Sequence, residues 1–232
     1  MAAEDPLEYS RRKLAWADQH LAKLDGELLN FRETCGHSCV AEIDPQNAQQ
    51  AICKLKLTKS IPQTLDLISG DVIGNLRAAL DQAGYGMAIA SGNLSPRNAY
   101  FPFAGSEGEF ENSLKGRSAD IPSDMYPFLR ALKPYKGGND LLWTLNKISI
   151  RDKHLTIIPM GNTATTNLFS IESHSGYFSA PLKHVWDRSK NEIELFTASI
   201  GGELKYKYDF SLTIAFDDFE FIGEIARNSV ES

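Results

Sequence analysis

Leu14, Ala17, Leu21, Leu24, Leu28 and Phe31 recur at steps of three and four residues, with Arg12, Lys23 and Glu27 on other faces. That period predicts a helix from about Leu7 to Arg32. Two alternating runs follow, Cys39 to Ile43 and Ala51 to Leu57, separated by "DPQNAQQ". Its Asp-Pro and Asn supply turn chemistry, so the pair predicts a β-hairpin with a longish loop. Cys39, Ala41 and Ile43, and Ala51, Cys53, Leu55 and Leu57, fall on the inward faces of the two strands.

Ser60, Pro62 and Gln63 then form a helix-start signal, a capping box with a first-turn proline. From there Leu65, Ile68, Val72, Leu76, Ala79, Ala83 and Met87 keep a helical period. Gly70, Gly74, Gly84 and Gly86 each weaken such a helix by about 1 kcal/mol relative to Ala, which points to close approach of another element or a local break. Residues 92 to 122 are rich in Gly, Ser and Pro and read as a mobile connection with one short helix at Glu107 to Leu114. Two more helices are predicted. One runs from Ser123, its cap, to Leu132, where Pro134 stops it; the other runs from Asn139 or Asp140 to about His154 with Leu141, Leu145, Ile148 and Asp152 on one face.

After Leu155 the period switches to two. Strands are predicted at Leu155 to Met160, Asn167 to Ser173, Leu182 to Trp186, Glu192 to Ile200 and Glu203 to Phe216, and a short amphipathic helix at Phe219 to Arg227. Gly201-Gly202 reads as a two-residue hairpin turn, a register that sets Ile193 opposite Phe210 and Leu195 opposite Tyr208. The fold class is α+β, a helical bundle joined to an antiparallel sheet. Residues 1–155 are mainly helical with the hairpin at about 38–57, residues 156–232 are mainly β, and the whole reads as one integrated domain whose hairpin joins or covers the sheet.

A net charge of −6 over 232 residues argues against a protein that coats nucleic acid or anionic membrane over its whole surface. One window differs. Arg130 to His154 carries six Lys or Arg against two Asp, a local +4, with Tyr135 and Trp143 interleaved. No apolar stretch approaches the roughly 20 residues that would span a bilayer, and "MAAEDPLEYSRRK" lacks the apolar core of a signal peptide, so the expected location is cytoplasmic with no membrane partner. Cys35, His37, Cys39 and Cys53 formally supply the ligand count of a closed zinc site, but the spacing is poor and the alternation makes Cys39 and Cys53 buried apolar residues, so no metal or cofactor is expected. No Gly-x-Ser-x-Gly, P-loop, His-Glu-x-x-His or EF-hand pattern occurs.

At about 100° per residue, Ile73, Leu76, Leu80, Ala83 and Met87 define a buried stripe with Arg77 and Asp81 along its edge. Two readings are open. Arg77 pairs with Asp81 one turn on, or it meets Asp152, a carboxylate on an apolar face that requires a partner suited to bidentate binding.

"GDVIGNLRAALDQ" followed by "LNKISIRDKHL" resembles a group of bacterial proteins, and its arginine-led helix is similar to HEPN-type helical domains, many of which are RNA-cleaving toxins or RNA-associated modules. The resemblance covers about residues 60 to 155. Their motif is an arginine, a polar residue and, several positions on, a histidine; Arg77 matches the arginine and Gln82 stands where the histidine would be. Without that imidazole the usual proton transfer at a 2′-hydroxyl loses its agent. The resemblance therefore implies binding of RNA or another phosphate-bearing partner without efficient catalysis, and a homodimer. The binding set is Arg77, Asp81, Lys133, Lys136, Arg151, Asp152 and Lys153. Two alternatives stand beside it. One is a metal-independent ribonuclease in which His154, whose ordinary pKa suits acid–base work near neutrality, acts with Arg77; the other is a structural or protein-interaction module, in which His154 caps a helix end.

Overall fold

The computed structural model describes residues 5–152, 159–162, 171–173, 176–179, 186–187, 189–201, 204–206 and 211–214, with side chains described for 5–150, 176–179, 187 and 189–201. Two compact units interleave along the chain: Met1–Leu24, Asp66–Ile157 and Asp217–Ser232 form one, Asp25–Leu65 and Ile158–Phe216 the other.

The first unit is helical. Helix α1 spans Glu8–Thr34 and contributes to both units. Its buried positions are Ser10, Ala17, Leu24 and Phe31, one every seven residues, while Leu14 and Leu21 from the predicted stripe are half-exposed. Helix α2 spans Thr64–Ala90. It starts later than the capping signal suggests, because the Ser60 hydroxyl accepts a hydrogen bond from the Asn191 amide at 2.9 Å instead of capping a helix.

The glycines of α2 leave the helix unbroken. At two of them other backbone comes close: a Cβ at Gly84 would collide with the Ala99 carbonyl, and one at Gly86 with the Pro6 carbonyl. Alanine there would force the packed chain apart, so the lost helix propensity is the cost of close approach.

Residues 92 to 122 hold much of this unit's core, contrary to the expectation of a mobile connection. Ala99, Phe101, Phe103, Phe110, Leu114 and Ile121 pack with Ala88, Leu129 and Tyr135 in one buried cluster. Each buried aromatic stabilises by about 1.5–3 kcal/mol, enough to order a segment without regular structure. Helix α3, Glu107–Lys115, is capped by Ser106, whose Oγ accepts from Glu109 N at 3.3 Å, and Glu109 Oε2 reaches back past the cap to accept from Gly105 N at 2.9 Å.

The predicted Ser123 helix divides into a 3-10 turn at Ser123–Met125 with no side-chain cap, then helix α4 at Tyr126–Leu132, which ends on a left-handed Lys133 (φ 46°). Helix α5 spans Asp140–Asp152. Asn139 caps it, its Oδ1 accepting from Leu142 N at 3.1 Å. Leu141 does not share the buried face predicted for it: it is exposed, and Trp143, Thr144 and Ser149 are buried instead.

The second unit is built on an antiparallel sheet. Strands β1 (His37–Asp44) and β2 (Asn47–Leu57) form the hairpin, and its loop is shorter than predicted. Asp44 Oδ1 accepts from Gln46 N at 2.8 Å, so Pro45 and Gln46 make the turn; Asn47 pairs with Asp44, and residues 48–50 bulge before the ladder resumes at Ile43–Ala51.

The described pieces of the later chain are β3 (Pro159–Asn162), β4 (Ile171–Ser173), β5 (Phe178–Ser179), β6 (Trp186–Asp187), β7 (Glu192–Ser199), β8 (Leu204–Tyr206) and β9 (Ser211–Ile214). The hairpin does join the sheet: β2 pairs with β7, and β5 and β6 take the other edge of β7.

That arrangement overturns the register read from Gly201-Gly202. Ile193 lies between Leu55 and Trp186, both edges of β7 being occupied, while β8 pairs with β4 and β9 with β3. Phe210 and Tyr208, the expected partners, lie outside the described residues, as does the helix at Phe219 to Arg227. Gly201 still has the positive φ of a turn residue (87°). A tight turn sets local geometry, but the pairing partner is chosen by burial of whole strand faces. Leu55, Leu57, Ile193, Leu195 and Phe196 pack with Phe31 on one face, with Cys35, Cys39 and Cys53 against them. Ile43, expected inward, is exposed near the turn.

Candidate functional site

Arg77 pairs with Asp81 one turn along α2. Its Nη1 stands 2.5 Å from Asp81 Oδ2, in an ion pair that lacks the alignment of a directed hydrogen bond. Nε donates to Asn146 Oδ1 on α5 at 2.9 Å, and the guanidinium lies over the Phe103 ring, 4.2 Å from its centroid. Asp81 in turn accepts the Phe101 amide at 3.0 Å. The arginine side chain is 13% exposed and the aspartate 29%. One charge thus ties α2, α5 and the 99–103 segment together. Asn146 and Phe103 were not foreseen, because a neutral amide and a ring in a proline-rich segment carry no periodic signal.

Among the residues expected to share this site, the side chains of Arg151 and Asp152 and the whole of Lys153 and His154 lie outside the described residues. The Arg77–Asp152 pair and the Arg77–His154 arrangement therefore have no described geometry.

The basic window places Lys133 and Lys136 on the connection between α4 and α5, both exposed. That connection is wound around one carbonyl: Lys133 O accepts from Tyr135 N and Asn139 N, each at 2.7 Å. Lys136 Nζ stands 5.4 Å from the Trp143 ring centroid, and Lys147, which was not singled out beforehand, stands 5.7 Å from the same ring. Both distances lie within the range of a cation–π contact. Arg130 is neutralised, since it grips Glu111 with two hydrogen bonds of 2.7 and 2.8 Å and holds that carboxyl below its ordinary pKa. Among the described side chains, the usable positive charge of the window therefore falls on Lys133, Lys136 and Lys147.

A second charged cluster lies on the sheet, on the face opposite the cysteines. Lys54 Nζ reaches Glu42 at 2.7 Å and Glu192 at 2.9 Å, and Lys56 Nζ reaches the same two carboxylates at 2.5 and 3.1 Å. Two cations and two anions close a neutral square across β1, β2 and β7. Hydrogen bonds from Lys54 and then Lys56 pull the Glu42 carboxyl from its ordinary 4.5 to about 2. For Glu192 the largest single influence, burial, pushes upward, yet the two lysines together bring the net below the ordinary value. Lys54 is raised by its bonds to Glu42 and Glu192. The square satisfies itself and has no free valence for a ligand. Sequence reasoning missed it because the alternation separates the four residues from the apolar positions without saying which strand lies beside which.

The three cysteines are free and partly buried. Burial, followed by the nearness of Cys39, raises the Cys53 thiol. Among the described residues no group of three or more His, Cys, Asp or Glu is placed to hold a metal ion, and no helix is long and apolar enough to cross a membrane.

No model of a known protein family matches the chain, and no curated protein or solved structure is significantly similar to it.

Proposed function

We propose that this chain is a non-catalytic binding module that takes a phosphate-bearing partner, RNA, on the lysines of its helical unit. The observation that carries this reading is the lysine pair at Trp143: Lys136 and Lys147 bring two ammonium groups to one aromatic ring at 5.4 and 5.7 Å, with Lys133 exposed on the same connection. Exposed ammonium groups suit a ligand with charged phosphates, and the Trp143 ring, itself buried, holds two of them in place. The HEPN-like resemblance supplies RNA as the partner, a homodimer as the assembly and a bacterial source.

The engagement of Arg77 supports binding over cleavage. A catalytic arginine steadies charge that develops on the substrate, so it needs donors aimed outward. Here the guanidinium is directed at Asp81, Asn146 and Phe103.

The test is a titration of fluorescently labelled RNA at several salt concentrations. Binding should weaken steeply with added salt, because neutralised phosphates release counterions. Lys133→Glu with Lys136→Glu should weaken binding and flatten the salt dependence while leaving the melting temperature unchanged, and intact RNA should be recovered after long incubation. Salt-independent binding, or none to any RNA, would remove the proposal; cleavage products absent with Arg77→Ala would restore the nuclease reading.

A further inference from the structure

Strand β1, His37–Asp44, forms one edge of the five-stranded sheet, while the far edge of β7 holds only β5 and β6, two residues each. The Thr58 amide donates to the Gly36 carbonyl at 2.8 Å, and on the other side of β2 the Leu57 amide donates to Asn191 O at 3.0 Å. Those two bonds fix the phase of the antiparallel ladder, in which alternate residues bond to opposite neighbours. Ser38, Val40 and Glu42 turn their amides and carbonyls to β2, and Cys39, Ala41 and Ile43 turn theirs outward. Among the described residues no strand meets that outward row.

Such an edge is a template for another strand, and sheets usually guard it with lysine, proline or a charge that projects past it. β1 contains no Lys, Arg or Pro. Its two acids are engaged inside the hairpin. Lys54 and Lys56 draw the Glu42 carboxylate back across the sheet, at 2.7 and 2.5 Å, and Asp44 accepts the Gln46 amide of the turn. The bulge beyond Ile43 ends the regular ladder, so the open row runs from Cys39 to Ile43. Ala41 and Ile43, on the same face as Cys39, are exposed, Ile43 by 66%.

The row is complementary to itself. A two-fold axis at Ala41 sets Ala41 opposite the second copy's Ala41 and Cys39 opposite its Ile43, in three hydrogen-bonded pairs with about six backbone hydrogen bonds. Each exposed Ile43 then meets a thiol on its own face, and no like charges stand opposite each other, since Glu42 faces Val40. Axes one residue to either side match less well: at Glu42 two carboxylates oppose, and at Val40 the exposed Ile43 faces the imidazole of His37. We infer that β1 is a dimer edge, where two copies of this chain pair antiparallel about Ala41 and join their sheets into one. The inference rests on the homodimer of the RNA-binding reading for its occupant, and adds the surface and the register at which the copies meet.

Sedimentation velocity of the full chain from low to high micromolar concentration should show a monomer–dimer equilibrium, weaker than a permanent subunit contact because a strand edge is a small interface. Amide exchange followed by NMR should slow at Cys39, Ala41 and Ile43 as the dimer forms, while the Ser38, Val40 and Glu42 amides, already bonded to β2, stay protected at every concentration. Ala41→Pro removes an outward amide and none of those bonded to β2, so the hairpin should survive while association falls by about tenfold or more. Ile43→Lys supplies the absent guard at an exposed position and should weaken association likewise. Far-UV circular dichroism checks that both variants fold.

A chain that stays monomeric throughout overturns the inference, as does a dimer that both variants leave intact or whose outward β1 amides exchange as fast as in the monomer. Should Ala41→Pro unfold, Ile43→Lys and the exchange pattern decide. Salt-dependent RNA binding by a strictly monomeric chain would overturn the edge and leave the lysine reading standing. An edge-paired dimer that binds no RNA would do the reverse.

Discussion

Replacing Arg77 by Met removes a charge that three elements share, and its cost can be assembled from the contacts. The partly buried pair with Asp81 is worth about 1 kcal/mol. The bond from a charged donor to Asn146 adds about 2 kcal/mol, and the guanidinium over Phe103 adds about 1 kcal/mol. Methionine retains some of the packing, and contributions to a shared network do not simply add, so the expected loss is about 3 kcal/mol. Asp81→Asn is the informative control. Its amide oxygen can still accept the Phe101 amide while the ion pair disappears, and it should lose about 1 kcal/mol. Arg77→Lys keeps the charge but has one nitrogen for two partners, and should fall between them. Urea denaturation followed by helical circular dichroism, with linear extrapolation, measures each loss. The Arg77→Met, Asp81→Asn double variant should cost less than the sum of the singles. A loss under about 1 kcal/mol for Arg77→Met, or one no larger than that of Asp81→Asn, would refute the tie to Asn146 and Phe103 as a source of stability.

Lys54→Met should destabilise the sheet unit by about 3 kcal/mol, the low end for breaking a buried ion pair, because Lys56 still reaches Glu192 at 3.1 Å; with Glu192→Met added most of that loss should return, and hydrogen exchange at β2 and β7 amides would show both. The square also predicts an acid response. The Glu42 carboxyl is depressed from its ordinary 4.5 to about 2, so its contribution is fully present above the ordinary value and is lost as pH falls through about 2. Denaturation midpoints of the parent and Glu42→Gln should therefore converge as pH drops across that window, and a gap that stays constant from neutral pH to below it would contradict the assignment. Lys54 works in the opposite sense: its raised value keeps its contribution intact below the ordinary 10.5 and loses it only on the alkaline side.

The elements whose residues signal one another locally were legible in the chain. The predicted helices at Leu7 to Arg32 and Glu107 to Leu114 differ from α1 and α3 by no more than about two residues at either end, within the ordinary fraying of helix boundaries. The hairpin and its joining to the sheet were likewise readable, since an alternating run with a buried face must find a partner. Of the site, the Arg77–Asp81 pair and the exposed Lys133 and Lys136 were visible in advance, one as an i,i+4 spacing and the others as local charge density.

What the sequence withheld depends on neighbours far along the chain. Gly201-Gly202 announces a turn, but only the assembled sheet sets Leu55 and Trp186 on either side of Ile193. Proline and glycine on either side of α3 mark irregular backbone and say nothing of burial, so the packed rings of Phe101 and Phe103 had no sequence signature. The partners of Arg77 in that segment and on α5, and the Lys54–Glu192 half of the ionic square, join residues about 26, 70 and 140 positions apart. Periodicity determines which face of an element turns inward, because it follows from backbone geometry alone. Which other element meets that face is decided when apolar area and charge are buried together, and a single sequence read element by element contains no term for that.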